Sequence, residues 1–132
     1  MSITFVLSLI AAGLMAFSDF AGWTENTYYG QNDYYVFIGS ENAPSYATPI
    51  LIILVICHLA SAYASYKGIS GNPTKSLGIW SNILAIAITV LGALLFTVLA
   101  EAALERWLET SFYASLIASA VGIFLFSKGN TN

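Results

Sequence analysis

The sequence predicts an all-α integral membrane protein in which four transmembrane helices form a compact bundle beneath a partly ordered outer loop. Only 8% of the 132 residues are charged and 58% are hydrophobic, whereas soluble domains contain roughly 25% charged residues. Four long segments lack Asp, Glu, Lys and Arg, and a bilayer core requires about 20 apolar residues in a helix. These observations predict one membrane domain over residues 1–132, with helices at about 3–18, 49–66, 76–108 and 110–127.

The first helix is the shortest, and its length and small residues are also typical of a secretory signal peptide. It lacks the basic region that precedes the apolar part of such peptides, so we interpret it as a retained helix. The single cysteine, Cys57, excludes an internal disulfide and a Cys-x-x-Cys redox pair. We expect Cys57 to be a small packing residue.

The charged residues indicate the orientation of the chain. All seven acidic residues lie in the connections between helices 1 and 2 and between helices 3 and 4, which must share one face of the membrane. Lys67, Lys75 and Lys128 belong to the opposite face, and only Arg106 departs from this sorting. Because short inner loops are enriched in Lys and Arg, both termini are predicted to lie on the cytoplasmic, or equivalent inner, side.

The outer loop of residues 19–48 is too aromatic for a disordered linker. Residues 34–38 combine aromatic and β-branched side chains between turn residues, which is a strand signal. We therefore expect a short β-hairpin or a compact cap that docks an outer partner, and an interfacial belt of aromatic residues is the alternative. The candidate docking residues are Trp23, Tyr28, Tyr29, Tyr34 and Tyr35.

The connection between helices 3 and 4 has the composition of a helix. "EAALERWLET" contains strong helix formers, and Glu101, Glu105 and Glu109 recur every four residues, as on one solvated helical face. Helix 3 is therefore predicted to continue beyond the bilayer to residue 108. Thr110 or Ser111 is then expected to cap helix 4.

Small residues recur at helical spacing in all four helices. In lipid, helices associate through close packing and interhelical hydrogen bonds rather than through a hydrophobic gain. The spacing favours a compact bundle within the chain or contacts with neighbouring membrane proteins. The predicted helix-packing residues are Ser8, Ala12, Ala16, Ala60, Ser61, Ala64, Ser65, Ala114, Ala118 and Gly122.

His58, the only histidine, lies near the predicted middle of helix 2. Ionisable residues at that depth are costly and are candidate functional residues. A neutral imidazole there could bind a cofactor, as a ligand of haem or chlorophyll or as a donor to a quinone. The interpretation that we favour is a hydrogen bond to a neighbouring helix, with the hydroxyl of Thr89 or a backbone carbonyl as partner.

Four helices with a long first outer loop resemble the claudin and tetraspan topology, and Trp23 lies in that loop. The Gly-Leu-Trp element and the two cysteines of that family's loop are absent. Small multidrug transporters require a carboxylate within the first helix, where this chain has none. Glu105-Arg106 resembles a pair of four-helix glutathione-binding membrane enzymes, whose other basic residues are missing. No family is identified.

These features favour a non-enzymatic structural or accessory subunit of a larger membrane assembly. The sequence has no Ser-His-Asp set, metal-binding cluster, phosphate loop or basic nucleic-acid patch. The expected partners are the lipid bilayer and other integral membrane subunits or copies of the chain, and no nucleic acid is expected. Two alternatives stay open: a haem, chlorophyll or quinone subunit that uses His58, and a self-assembling claudin-like or viral envelope lattice. Beyond lipid, the sequence indicates no particular cofactor.

Overall fold

A computed structural model describes residues 3–27, 30–41, 45–69, 75–96 and 105–128. Within these residues the chain is mostly helical, with four helices and a small three-stranded sheet. The elements in order are α1 (Ile3–Phe17), β1 (Ala21–Thr27), β2 (Gly30–Val36), α2 (Ala47–Ile69), α3 (Lys75–Leu94), β3 (Glu105–Leu108) and α4 (Thr110–Ser127).

The four helices pack as a closed bundle, as predicted. Helix α1 contacts α2 and α4, and α3 contacts the same two helices from the other side. Three segments are long and apolar enough to cross a membrane: Ala47–Gly68, Lys75–Leu94 and Thr110–Ser127. The described part of helix α1 is apolar and comprises 15 residues, or about 22 Å of helix.

The predicted β-hairpin is present and is larger than expected. Strands β1 and β2 pair antiparallel from Ala21 opposite Val36 to Thr27 opposite Gly30. Strand β2 therefore begins and ends earlier in the chain than the predicted strand at 34–38. The third strand, β3, pairs with the other edge of β1, which gives the strand order β2-β1-β3.

The prediction that helix 3 continues to residue 108 is wrong. Helix α3 ends at Leu94, and residues 105–108 form β3 instead of a helical turn. Pairing with β1 satisfies backbone groups that a helix would satisfy internally, and Trp107 also packs across the sheet against Tyr35. Tertiary contacts thus override the helical propensity of this segment. Glu101 lies outside the described residues.

The predicted cap of helix 4 is also wrong. Glu109 holds the N-cap position in an extended conformation and makes no side-chain capping bond. Ser111 lies inside the first turn, where its backbone N–H and its Oγ both donate to the carbonyl oxygen of Asp19, at 3.2 and 3.0 Å. The Glu109 N–H donates to the carbonyl of Phe20 at 2.9 Å. The start of α4 is therefore joined to the start of β1.

The sheet lies directly on one end of the bundle. Trp23 stacks on Tyr34 at 5.2 Å and meets Phe96 edge to face at 6.0 Å. Phe20 contacts Phe112 at the N-terminus of α4 with centroids 5.7 Å apart. Since the sheet contains strands from both predicted outer connections, those connections lie at the same end of the bundle. Lys67 lies in the last turn of α2, Lys75 begins α3 and Lys128 follows α4, so all three lysines lie at the opposite end.

Candidate functional site

His58 lies at the centre of a hydrogen-bonded junction between three helices. It is eleven residues from either end of α2, and its side chain is fully buried. The Nε2 atom of His58 is 2.8 Å from the Oγ atom of Ser115 on α4, and that Oγ is 2.8 Å from the Oγ1 atom of Thr89 on α3. Thr89, the partner expected from the sequence, is therefore reached through Ser115.

A second junction joins α1, α2 and α3 one helical turn away on α2. The Ser61 hydroxyl accepts hydrogen bonds from the Ser8 hydroxyl at 2.9 Å and from the Asn82 amide nitrogen at 2.8 Å. The same nitrogen donates to the carbonyl oxygen of Gly78 at 2.7 Å. The side chains of this junction, Ser8, Ser61 and Asn82, are each at most 1% exposed. The junction therefore lies in the interior of the bundle.

Asn82 is the interior residue that sequence reasoning missed. It is the only side-chain amide in the uncharged segment 77–100, and an amide buried without partners costs several kcal/mol, of the order of 2–7. That cost could have identified it as a hydrogen-bonding residue on the same grounds as His58. A search limited to ionisable groups does not include Asn82, because a side-chain amide carries no charge.

Glycine allows α3 and α4 to approach closely at this level. A Cβ atom added to Gly122 would lie 2.6–2.8 Å from the amide atoms of Asn82. A Cβ on Gly78 would overlap the ring of Phe126, which is fully buried. Any side chain at either glycine would therefore force its neighbour to move.

Most of the predicted helix-packing residues are used inside the chain. Ser8, Ala12, Ser61, Ala64, Ser65, Ala118 and Gly122 are buried, and Ala16, Ala60 and Ala114 are half-buried. Seven of these ten residues are therefore buried within the chain's own bundle. The neighbouring row of Ser111, Ser115 and Ser119 is fully buried as well.

The interior junctions contain neutral groups, and some of their atoms are unsatisfied. Among the described residues, His58 Nδ1, Asn82 Oδ1 and the hydroxyls of Thr4 and Ser119 have no hydrogen-bond partner. The same part of the chain contains no group of three or more His, Cys, Asp or Glu side chains that could hold a metal ion. A ring cofactor at His58 would have to enter a fully buried position, and ligation through Nε2 would also break the bond to Ser115.

The candidate docking residues of the outer loop face different ways. Trp23 is 6% exposed and Tyr34 is half-buried, because both pack against the bundle. Tyr35 faces outward and meets Trp107 edge to face at 6.2 Å. This pair lies over Gly22, where a Cβ atom would be 2.6 Å from the Trp107 ring. Tyr28 and Tyr29 lie outside the described residues.

A groove lies beside the C-terminal half of β2 and the turn that follows it. Its volume is about 450 Å³, and its walls include Asp33, Tyr35, Phe37, Ser40 and Glu41. Ser40 donates to the carbonyl of Tyr35 at 3.0 Å and its N–H donates to the carbonyl of Phe37 at 3.0 Å, which holds the turn after β2 in place. The groove therefore has an ordered wall of aromatic and acidic side chains.

The carboxylates of Asp19 and Glu109 lie near one another where the sheet joins α4. Burial and, to a smaller extent, the nearby Glu109 carboxylate raise the pKa of Asp19 above its ordinary value. One Glu109 carboxylate oxygen accepts a hydrogen bond from the indole nitrogen of Trp107 at 2.7 Å. This contact ties β3 to the residue that precedes α4.

Taken together, the fold and the interior define a four-helix bundle with three helices that could span a membrane, capped at one end by a three-stranded sheet. No family model matches the chain, and neither a curated protein nor a solved structure shows significant similarity to it.

Proposed function

We propose that the chain is a non-enzymatic structural or accessory subunit of a larger membrane assembly. In this proposal all four helices cross the bilayer, both termini lie on the cytoplasmic side, and the sheet lies on the outer side. Lipid and other integral membrane subunits are the partners. The orientation follows from three lysines at the end opposite the sheet.

Membrane insertion is supported by the distribution of side chains over the bundle. Large apolar side chains point outward, including Trp80 at 66%, Ile117 at 60% and Ile56 at 59% exposure. Inside, by contrast, lie fully buried polar side chains such as Ser115 and Asn82. Monomeric soluble proteins rarely expose such large apolar surfaces, whereas a bundle in lipid packs through small and polar residues.

The observation that carries the non-enzymatic proposal is the closed, neutral interior. Its polar side chains join helices to one another, as in the contact of His58 with Ser115 and of Asn82 with Ser61. None of these groups reaches the surface, where a substrate would arrive. The surfaces that remain for function are the lipid-facing helices and the outer sheet, which are surfaces for contact with other molecules.

Helix α1 offers a further apolar face for contact with other subunits. Its outward residues Ile3, Leu9 and Ile10 are 55%, 43% and 50% exposed, and they offer an apolar face for such a contact.

Quantitative affinity purification tests this proposal. The tagged full chain is crosslinked in its native membrane, extracted in mild detergent and analysed by mass spectrometry. We expect one or more other integral membrane proteins in constant stoichiometry with the chain. Recovery of the chain alone as a monomer, with and without crosslinking, would refute the proposal.

A self-assembling lattice is the second candidate, and the open sheet favours it. Within the described residues, neither β2 nor β3 has a strand partner on its outer edge, and open edges are templates for pairing between chains. Electron microscopy of the isolated chain in lipid separates the two candidates, since only a self-assembling protein would form regular arrays. An absorption spectrum tests the remaining alternative, a cofactor bound at His58.

A further inference from the structure

We propose that the groove beside β2 binds a cationic, extended peptide segment of a partner protein. This inference goes beyond the proposed function, and it rests on that proposal only in placing the sheet in water on the outer side. The groove volume of about 450 Å³ falls in the range of ligand-binding clefts, roughly 300–1,000 Å³.

The negative charge of the groove favours a positively charged ligand. Both of its ionisable carboxyl groups, Asp33 and Glu41, belong to exposed residues, and none of the described residues that line it is basic. Arg106, the one basic residue of the two outer connections, belongs to β3, which lies on the far side of β1 from β2. A second copy of the chain would bring like charges together, which disfavours β2–β2 pairing between copies.

The aromatic side chains of the groove and the outer edge of β2 favour a peptide with an extended backbone. Tyr35 and Phe37 are 37% and 43% exposed, and aromatic faces attract Lys and Arg side chains. The outer edge of β2 has no strand partner among the described residues, so an added strand could pair there through backbone hydrogen bonds. Its alternate side chains would face Asp33 and Tyr35, which lie two residues apart on the same face of β2.

The turn after β2 keeps the groove open before binding. Gly39 has a φ of 85°, a left-handed conformation that glycine adopts readily, and its N–H donates to the Thr48 hydroxyl near the start of α2 at 3.0 Å. Thr24 donates to the Asp33 carboxylate at 2.7 Å, which fixes one acidic wall. A preformed site avoids the cost of ordering its walls when the peptide binds.

The test uses the full chain in detergent and a fluorescent peptide of about eight residues, the length of a strand, with alternating Lys and Val. We expect saturable binding that weakens at high salt, and no binding of the matched Glu and Val peptide. Asp33→Asn and Glu41→Gln should each weaken binding roughly two- to fivefold. Asn at position 33 keeps an oxygen that can accept the Thr24 bond, so the fold is retained.

Asp19→Asn is the matched control, because it removes one negative charge at the same end of the bundle outside the groove. Equal loss of affinity in this control, or no loss in the two groove variants, would overturn the inference. Dimerisation of the chain that blocks the peptide would also overturn it and would assign the groove to a second copy. The assay uses the isolated chain, so its failure leaves the test by co-purification unaffected.

Discussion

Substitution of Gly122 by alanine perturbs a close contact between α3 and α4. The added Cβ atom would lie 2.6 Å from Asn82 Nδ2 and 2.8 Å from Asn82 Oδ1, so the amide must move. That amide nitrogen donates to both the Ser61 hydroxyl and the Gly78 carbonyl. Asn82 is fully buried, and a shift of its side chain weakens both its bond to Gly78 within α3 and the bond to Ser61 that joins α3 to α2.

The expected cost follows from these contacts. Overpacking a close-packed interior costs about 1–3 kcal/mol, and an interhelical hydrogen bond in a membrane contributes about 0.6 kcal/mol on average. Alanine is favoured over glycine within a helix by about 1 kcal/mol, which offsets part of the loss. We therefore expect Gly122→Ala to lower the free energy of unfolding by about 1–3 kcal/mol.

Unfolding of the full chain in mixed micelles of mild detergent and dodecyl sulfate, followed by circular dichroism, measures this change. Gly13→Ala is the matched control: it lies within α1, and nothing is within 4 Å of an added Cβ atom there. We expect Gly13→Ala to be neutral or stabilising. Asn82→Ala should be destabilising, and adding Gly122→Ala to it should cause little further loss. Equal stability of Gly122→Ala and Gly13→Ala would refute the reasoning.

Three further predictions address the other parts of the molecule. His58→Gln should change the free energy of unfolding little because the amide can replace one hydrogen bond, whereas His58→Leu should cost about 0.6 kcal/mol; an equal loss in both variants in the same assay would contradict a bridging role. The raised pKa of Asp19 means that folding favours its protonated form, so its stabilising contribution is present below the ordinary carboxyl pKa and is lost as the pH rises through the raised value. Asp19→Asn should therefore gain in melting temperature relative to the wild type at neutral pH but not below about pH 4, and equal differences at both would contradict this. In a Cys57→Ser background, Ser45→Cys should react with an impermeant thiol reagent from outside and Ser76→Cys only from inside, and labelling of both from one side would contradict the topology.

The helices were predictable because their signal is local. Long uncharged segments predict α2, α3 and α4 in outline, and the spacing of small residues predicts that they pack closely. The hairpin could also be predicted from the sequence, because aromatic and β-branched residues between turn residues favour a strand. The ends of the strand were predicted less accurately: β2 ends at Val36, before the predicted end at Ile38.

Strand β3 could not be predicted because its cause is non-local. "ERWL" has the propensity of a helix, and only β1, some 80 residues earlier in the chain, provides the edge that makes it a strand. The same limit applies to His58: its chemistry indicated a hydrogen bond, but the choice of Ser115 over Thr89 depends on where α4 places the Ser115 hydroxyl relative to both residues. Asn82 is the opposite case: its amide lies in an uncharged segment of the sequence, where the cost of an unpaired buried amide already indicates a hydrogen bond.

The sheet and the polar junctions constrain the helices at different positions along the bundle axis. The sheet acts through backbone hydrogen bonds, and the junctions act through side chains. Pairing of β1 with β3 joins the connection after α1 to the connection before α4, so backbone hydrogen bonds tie these two helices at the end that carries the sheet. Midway along the bundle, His58 and Ser61 tie α2 to all three other helices through side chains. Because these side chains are neutral, they hold the helices together without the cost of burying a charge. Removal of β3 pairing should therefore loosen the end that carries the sheet while the junctions midway along the bundle persist, and a probe of His58 packing should remain unchanged when the sheet is disrupted.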